Sequence, residues 1–165
     1  MTGRDRPFDP VAIFRALQEG AVDFVVIGGW SATLQGVGWP THDVDIVVAP
    51  DDENLERLLM ALRSLEVEYD TFHQPPIRPD LGRLQRTPGP QLFRTRHGRL
   101  DVLKEAGGAT FASLTSDAIE VAQGEGTVLC ASIPALLRMK KAAGRPKDAA
   151  AIAQLEALLT GSTDD

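Results

Sequence analysis

Three carboxylates and a pair of glycines carry the chemistry legible in this chain. Asp43 and Asp45 stand two apart in the run Thr41-His42-Asp43-Val44-Asp45-Ile46-Val47-Val48. Successive side chains on a strand point to opposite faces. Asp43 and Asp45 therefore share one face, and Val44, Ile46 and Val48 take the other. Two carboxylates side by side repel each other and suit a strand poorly. A cation resolves that conflict. Asp101 lies in Leu100-Asp101-Val102-Leu103, where alternation sets it opposite Leu100 and Val102. If that strand pairs beside the first, the three acids converge. Three acids suit two Mg²⁺ ions, which prefer oxygen ligands and retain waters and substrate phosphates. Two such ions align an attacking hydroxyl and neutralise charge on a phosphate being displaced. Just upstream, Gly28-Gly29 opens a helix, a geometry that holds phosphate through backbone N–H groups. Acids for metal beside a phosphate cradle point to an enzyme acting on nucleotides.

The elements that must position these residues are readable in order. Asp9 caps a helix that starts at Pro10 and runs to about Glu19, with Val11, Phe14 and Leu17 as its stripe. Val22 to Ile27 reads as a buried strand, and Trp30 to Gln35 as a short helix ended by Gly36. The acid-bearing strand follows and stops at Ala49-Pro50. Asp51 or Asp52 caps an amphipathic helix with Leu55, Leu58, Leu59, Leu62 and Leu65 on its apolar face. Residues 67–72 read as a strand. Gln74 to Pro90 shows no clear period and reads as a long loop, of a kind that is often functional or mobile. Gln91 to Arg96 and Arg99 to Leu103 form a hairpin about His97-Gly98. A short helix over 109–114 precedes strands at 117–122 and 126–131. Ser132 caps a helix from Ile133 to Ala143, Gly144 stops it, and Pro146 opens a last helix to about Leu159. Residues 1–8 and the polar tail from Thr160 to Asp165 read as loose ends.

The chain has 165 residues, with 43% hydrophobic and 24% charged, which predicts one soluble globular domain over 1–165. Its core spans about 10–131, and a C-terminal helical segment spans about 133–159. The apolar runs are too short to cross a bilayer and the N-terminus has no signal pattern, so a cytoplasmic setting without a membrane partner is expected. One cysteine, Cys130, excludes an internal disulfide and reads as a packing residue in Val128-Leu129-Cys130-Ala131. Net charge is −6, which disfavours general adhesion to nucleic acid. Yet twelve of the seventeen basic residues fall in two segments, Arg78 to Lys104 and Arg138 to Lys147. They read either as solvated surface or as patches facing phosphates. His42, His73 and His97 are scattered, and Trp30 and Trp39 read as core or lid residues.

Gly28-Gly29-x-Ser31, Gly36 and Thr41-x-Asp43-x-Asp45, followed by the strand with Asp101, resemble the polymerase-β-like nucleotidyltransferase superfamily. The segment Lys140-Lys141-Ala142-Ala143-Gly144-Arg145-Pro146-Lys147-Asp148 resembles the bacterial AbiEii/MenA-like group, often toxins of toxin–antitoxin pairs. The resemblance implies an α/β (α+β) nucleotidyltransferase fold, a mixed sheet flanked by helices with C-terminal helices. It implies NTP as substrate, Mg²⁺ as cofactor, and transfer of a nucleoside monophosphate to a hydroxyl on an RNA such as tRNA, a protein or a small molecule. By position, Gly28, Gly29, Ser31 and Thr41 fall to the triphosphate, and Asp43, Asp45 and Asp101 to metal and catalysis. Lys140, Arg145 and Lys147 fall to nucleotide phosphates, with Asp148 orienting one of them. Trp30 departs from the pattern, standing where a smaller residue is common, and would displace the Ser31 hydroxyl. A second reading keeps the fold without the activity: a catalytically weak or inactive binding module that holds a partner protein.

Overall fold

The computed structural model describes residues 7–161, so the outermost loose ends expected from the sequence lie outside the described residues. In chain order the elements are α1 (Pro10–Glu19), β1 (Phe24–Ile27), α2 (Gly28–Leu34), β2 (Asp43–Val48), α3 (Asp52–Ser64) and β3 (Glu68–Tyr69). Next come α4 (Leu81–Arg86), β4 (Gln91–Thr95), β5 (Gly98–Leu103), β6 (Glu105–Ala106), β7 (Ala109–Thr110) and α5 (Phe111–Thr115). β8 (Ile119–Gln123), β9 (Gly126–Cys130), α6 (Ile133–Ala143), a 3-10 turn (Pro146–Asp148) and α7 (Ala149–Gly161) complete them.

Seven strands form one mixed sheet in the order β3-β4-β5-β2-β1-β9-β8. β2 runs parallel to β5 and β1 runs parallel to β9; the other pairings are antiparallel. Alternation divides each central strand between two cores. Phe24, Val26, Val44, Ile46, Val48, Leu100 and Val102 face α1, α3 and α4. Val25, Ile27 and Val47 face the other way, onto Leu114 of α5, Leu136 of α6 and Leu155 of α7. The acids of β2 and β5 lie on this second face, because they alternate with residues of the first core. Helices thus cover both faces of the sheet, as the sequence implied.

Local signals explain most element boundaries. The Asp9 side chain accepts from the Ala12 N–H, Asp51 from Asn54 and Ser132 from Ala135, each at the start of its helix. Gly144 ends α6 in the left-handed region (φ 62°), where glycine has no Cβ to clash. Four expectations are corrected. The stretch from Gln74 to Pro90 holds α4, capped by Asp80 and anchored by fully buried Leu84; six residues are too few to show a period. The strand over 67–72 contracts to Glu68–Tyr69, and residues 105–110 form a two-stranded hairpin rather than the start of a helix. α7 begins after the 3-10 turn and extends to Gly161.

Candidate active site

Register alone brings the acids together. Asp45 sits opposite Asp101 across the parallel β2–β5 pair, and Asp43 sits opposite Arg99. On the other side, Ile27 is opposite Asp45, so the chain leaves β1 at Gly28 directly beside the Asp45 side chain. Gly28 has φ 69° and starts α2 with no intervening loop. A Cβ there would collide with Asp45 Oδ2. Glycine is therefore required twice, for its backbone conformation and for the space the carboxylate occupies.

The two facing carboxylates perturb each other. Burial, and then the charge of Asp101, push the Asp45 carboxyl up to about 7. The Asp101 carboxyl is also raised, by burial and by Asp43, while its hydrogen bond with Asp45 and the Arg99 charge oppose the rise. Asp45 and Asp101 thus each favour the protonated form more than an exposed carboxyl does, as expected when two acids share a poorly hydrated site. Asp43 is near enough for its charge to act on both. Among the described residues, however, no three carboxylate, imidazole or thiol side chains stand close enough together to hold a metal ion. The pair is assembled and the third acid is not gathered with it. The donors that are present, the carboxylate oxygens of Asp45 and Asp101, are of the kind that hard divalent cations such as Mg²⁺ prefer.

A cavity of about 440 Å³ opens above the pair. Gly28, Asp45 and Asp101 line its sheet side; Lys140 and Arg145 line the opposite wall, with Leu136 and Met139 of α6 between. Pro90, Leu92, Leu103 and Ala106 make an apolar flank. Lys140 Nζ stands 3.4 Å from Asp148 Oδ1, and Arg145 Nε donates to Asp148 Oδ2 at 2.8 Å. Burial alone would raise the Asp148 carboxyl; the Arg145 hydrogen bond and the Lys140 charge outweigh it and hold it below its usual value. One anion thus serves two cations at this wall, and Glu105 adds a further carboxylate to the cavity lining. The Lys140 charge also acts on Asp45, lowering its pKa against the larger upward effects.

Other sequence-picked residues lie elsewhere. Ser31 is fully buried, and its hydroxyl donates to the Ala131 carbonyl at 3.1 Å, away from the cavity. The cause is the rotation of α2 on the sheet: Trp30 takes the side facing the first core, edge-on to Phe8 with ring centres 5.8 Å apart. Gly29 packs toward Thr41, whose hydroxyl donates to the Asp43 carbonyl at 3.2 Å. Thr41 therefore braces the entry to β2. Lys147 is exposed and does not line the cavity. Cys130 is fully buried, and burial pushes its thiol up to about 11, so it packs rather than reacts. The first basic segment is largely neutralised. Arg94 pairs with Glu68 and Asp70, Arg96 with Glu66, Arg99 with Asp70, and Arg83 with Asp80. Sequence reading missed the cavity wall made by β6–β7, although Gly107-Gly108 is a hairpin-turn signal, with φ 55° and 81°.

No protein-family model and no curated protein matches the chain. Among solved structures, it is similar to a Thermotoga maritima protein provisionally called a nucleotidyltransferase, at 17% identity over 86% of each chain, with a TM-score of 0.53. It is also similar to the antibiotic-resistance factor ANT(2'')-Ia, at 20% identity over 76% of this chain and 64% of that one, with a TM-score of 0.47. The chain has the nucleotidyltransferase fold.

Proposed function

We propose that the protein is a nucleotidyltransferase, one domain moving a nucleoside monophosphate from an NTP to an acceptor hydroxyl and releasing pyrophosphate. The observation that supports this most is the Asp45–Asp101 pair, set by strand register beneath a cavity whose far wall carries Lys140 and Arg145. Asp43, Asp45 and Asp101 would hold Mg²⁺, which when bound neutralises charge on the phosphates and lowers the barrier to displacement. Lys140 and Arg145 hold the triphosphate, with Asp148 fixing both, and Lys147 attracts it from outside. Gly28 lets phosphate approach the backbone, and Gly29 and Thr41 brace that turn. Ser31 holds the turn against the sheet from behind. The acceptor oxygen attacks the α-phosphorus, the bond to the bridging oxygen of the pyrophosphate breaks, and an Asp101 carboxylate oxygen takes the hydroxyl proton.

The segment from Lys140 to Asp148 supports placement in the AbiEii/MenA-like group, hence a cytoplasmic toxin–antitoxin pair with a partner protein. The acceptor is then an RNA, a protein or a small molecule. Incubation with α-labelled NTP and Mg²⁺ tests the activity: Asp43→Asn keeps the fold by circular dichroism and loses transfer. Undiminished labelling by that variant rejects the proposal. A second reading, a binding module of the same fold, is favoured by the acid pair being satisfied internally while Asp43 stands apart. Calorimetry separates the two, since the module binds no NTP in the presence of Mg²⁺.

A further inference from the structure

Trp39 sits on the loop between α2 and β2, outside the residues assigned so far. It is held from three sides. The single Thr33 hydroxyl proton is shared between the Trp39 carbonyl at 3.2 Å and Gly29 O at 2.9 Å. Its indole N–H donates to Gln154 Oε1 on α7. Its ring face lies 5.6 Å from Lys140 Nζ on α6. Lys140 therefore has an aromatic face on one side, the Asp148 carboxylate on another, and the cavity ahead.

The two contacts act differently. A lysine side chain loses substantial rotamer freedom when fixed, and a single ion pair to Asp148 would leave it turned toward the Arg145 cluster. An aromatic face attracts the ammonium through the ring quadrupole without cancelling its charge. A second carboxylate in that place would neutralise the cation the cavity wall requires. Trp39 thus fixes Lys140 while leaving its charge available.

We propose that Trp39 is a positioning residue for nucleotide binding: through its indole face it aims Lys140 into the cavity, and through Thr33 and Gln154 it ties the glycine helix to the C-terminal helices. The proposal rests on the nucleotidyltransferase reading for the ligand, but the clasp itself is measurable without one. In ¹³C-lysine spectra, the Lys140 ε-methylene resonance, assigned by its loss in Lys140→Met, is shifted upfield by the indole ring current. That shift disappears in Trp39→Leu and persists in Trp39→Phe. An unshifted Lys140 signal in the wild type overturns the clasp whatever the ligand.

Calorimetry with ATP, CTP, GTP and UTP in Mg²⁺ then reads the function. Trp39→Leu weakens affinity about three- to tenfold, and Trp39→Phe retains most of it. Gln154→Ala, a change at an exposed position that preserves the fold, gives a smaller loss in the same direction. In a Lys140→Met background, Trp39→Leu adds no further loss. An equal loss in both backgrounds shows that Trp39 acts as packing only and overturns the proposal. No binding of any NTP by the wild type, with the ring-current shift intact, overturns the nucleotidyltransferase reading and the nucleotide role of Trp39 while leaving the clasp as structure.

Discussion

Asp45 is the residue whose environment is most at odds with its chemistry. Its carboxyl is raised to about 7, so in the metal-free protein the folded state binds more protons than the unfolded chain between roughly pH 4 and pH 7. The associated stability is fully present below the unfolded pKa and is lost as pH rises through the folded one. The melting temperature in chelator therefore falls from pH 5 to pH 8, and Asp45→Asn flattens that slope; scanning fluorimetry checks both. Mg²⁺ at pH 8 recovers the wild-type loss and leaves Asp45→Asn unchanged. Gly28 depends on the same carboxylate. Gly28→Ala is destabilising by roughly 1–2 kcal/mol for its backbone conformation alone, plus the collision with Asp45. In an Asp45→Ala background only the first part remains, so urea titrations show less than additive losses; simple additivity rejects the contact. At this scale the sequence was informative about Asp43, Asp45 and Asp101, because a period of two assigns faces without knowledge of the fold. It misplaced Ser31, because the rotation of a short helix on a sheet is decided by what its neighbours bury, and Trp30 claims the core side.

Among the elements, the joint between β1, β2 and α3 depends on Asn54. Its side chain is fully buried and bonds the Asp23 N–H at 2.7 Å, the Asp23 carbonyl at 3.0 Å and the Ala49 carbonyl at 2.8 Å. It ties the start of β1 to the end of β2 from the first turn of α3. Asn54→Ala strands buried backbone groups and lowers stability by roughly 1–3 kcal/mol, read by denaturant unfolding. A change below a few tenths of that range shows that water replaces the amide. The helices and strands that carry long periodic patterns, α1, α3, β2, β5 and α6, were legible in advance. α4 and the β6–β7 hairpin were not, since six residues and two two-residue strands are too short for periodicity; only Asp80 and Gly107-Gly108 mark them. The site nevertheless depends on these segments, because Pro90, on the loop between α4 and β4, and Ala106 of β6 line the cavity.

At the scale of the whole molecule, pairing between segments distant in sequence decides how much basic charge is left to act. Glu66, Glu68, Asp70 and Asp80 cancel four arginines of the Arg78–Lys104 segment. Sequence spacing could not show this, since Glu68 and Arg94 meet only through the β3–β4 register. Weak adhesion to single-stranded RNA is the expected outcome. Glu68→Gln combined with Asp70→Asn frees Arg94 and Arg99 and steepens the fall of log K with log salt by roughly one to two. An unchanged slope in filter binding rejects that account. Lastly, the Ala131 carbonyl accepts from both Ser31 of α2 and Gln35, which caps its C-terminal end, at residues 100 and 96 positions away. β1 was made long before its neighbour β9, and the wall bearing Lys140 follows β9. The glycine turn is thus fastened by a contact between segments 100 residues apart in the chain, a long loop to close before the turn is fixed.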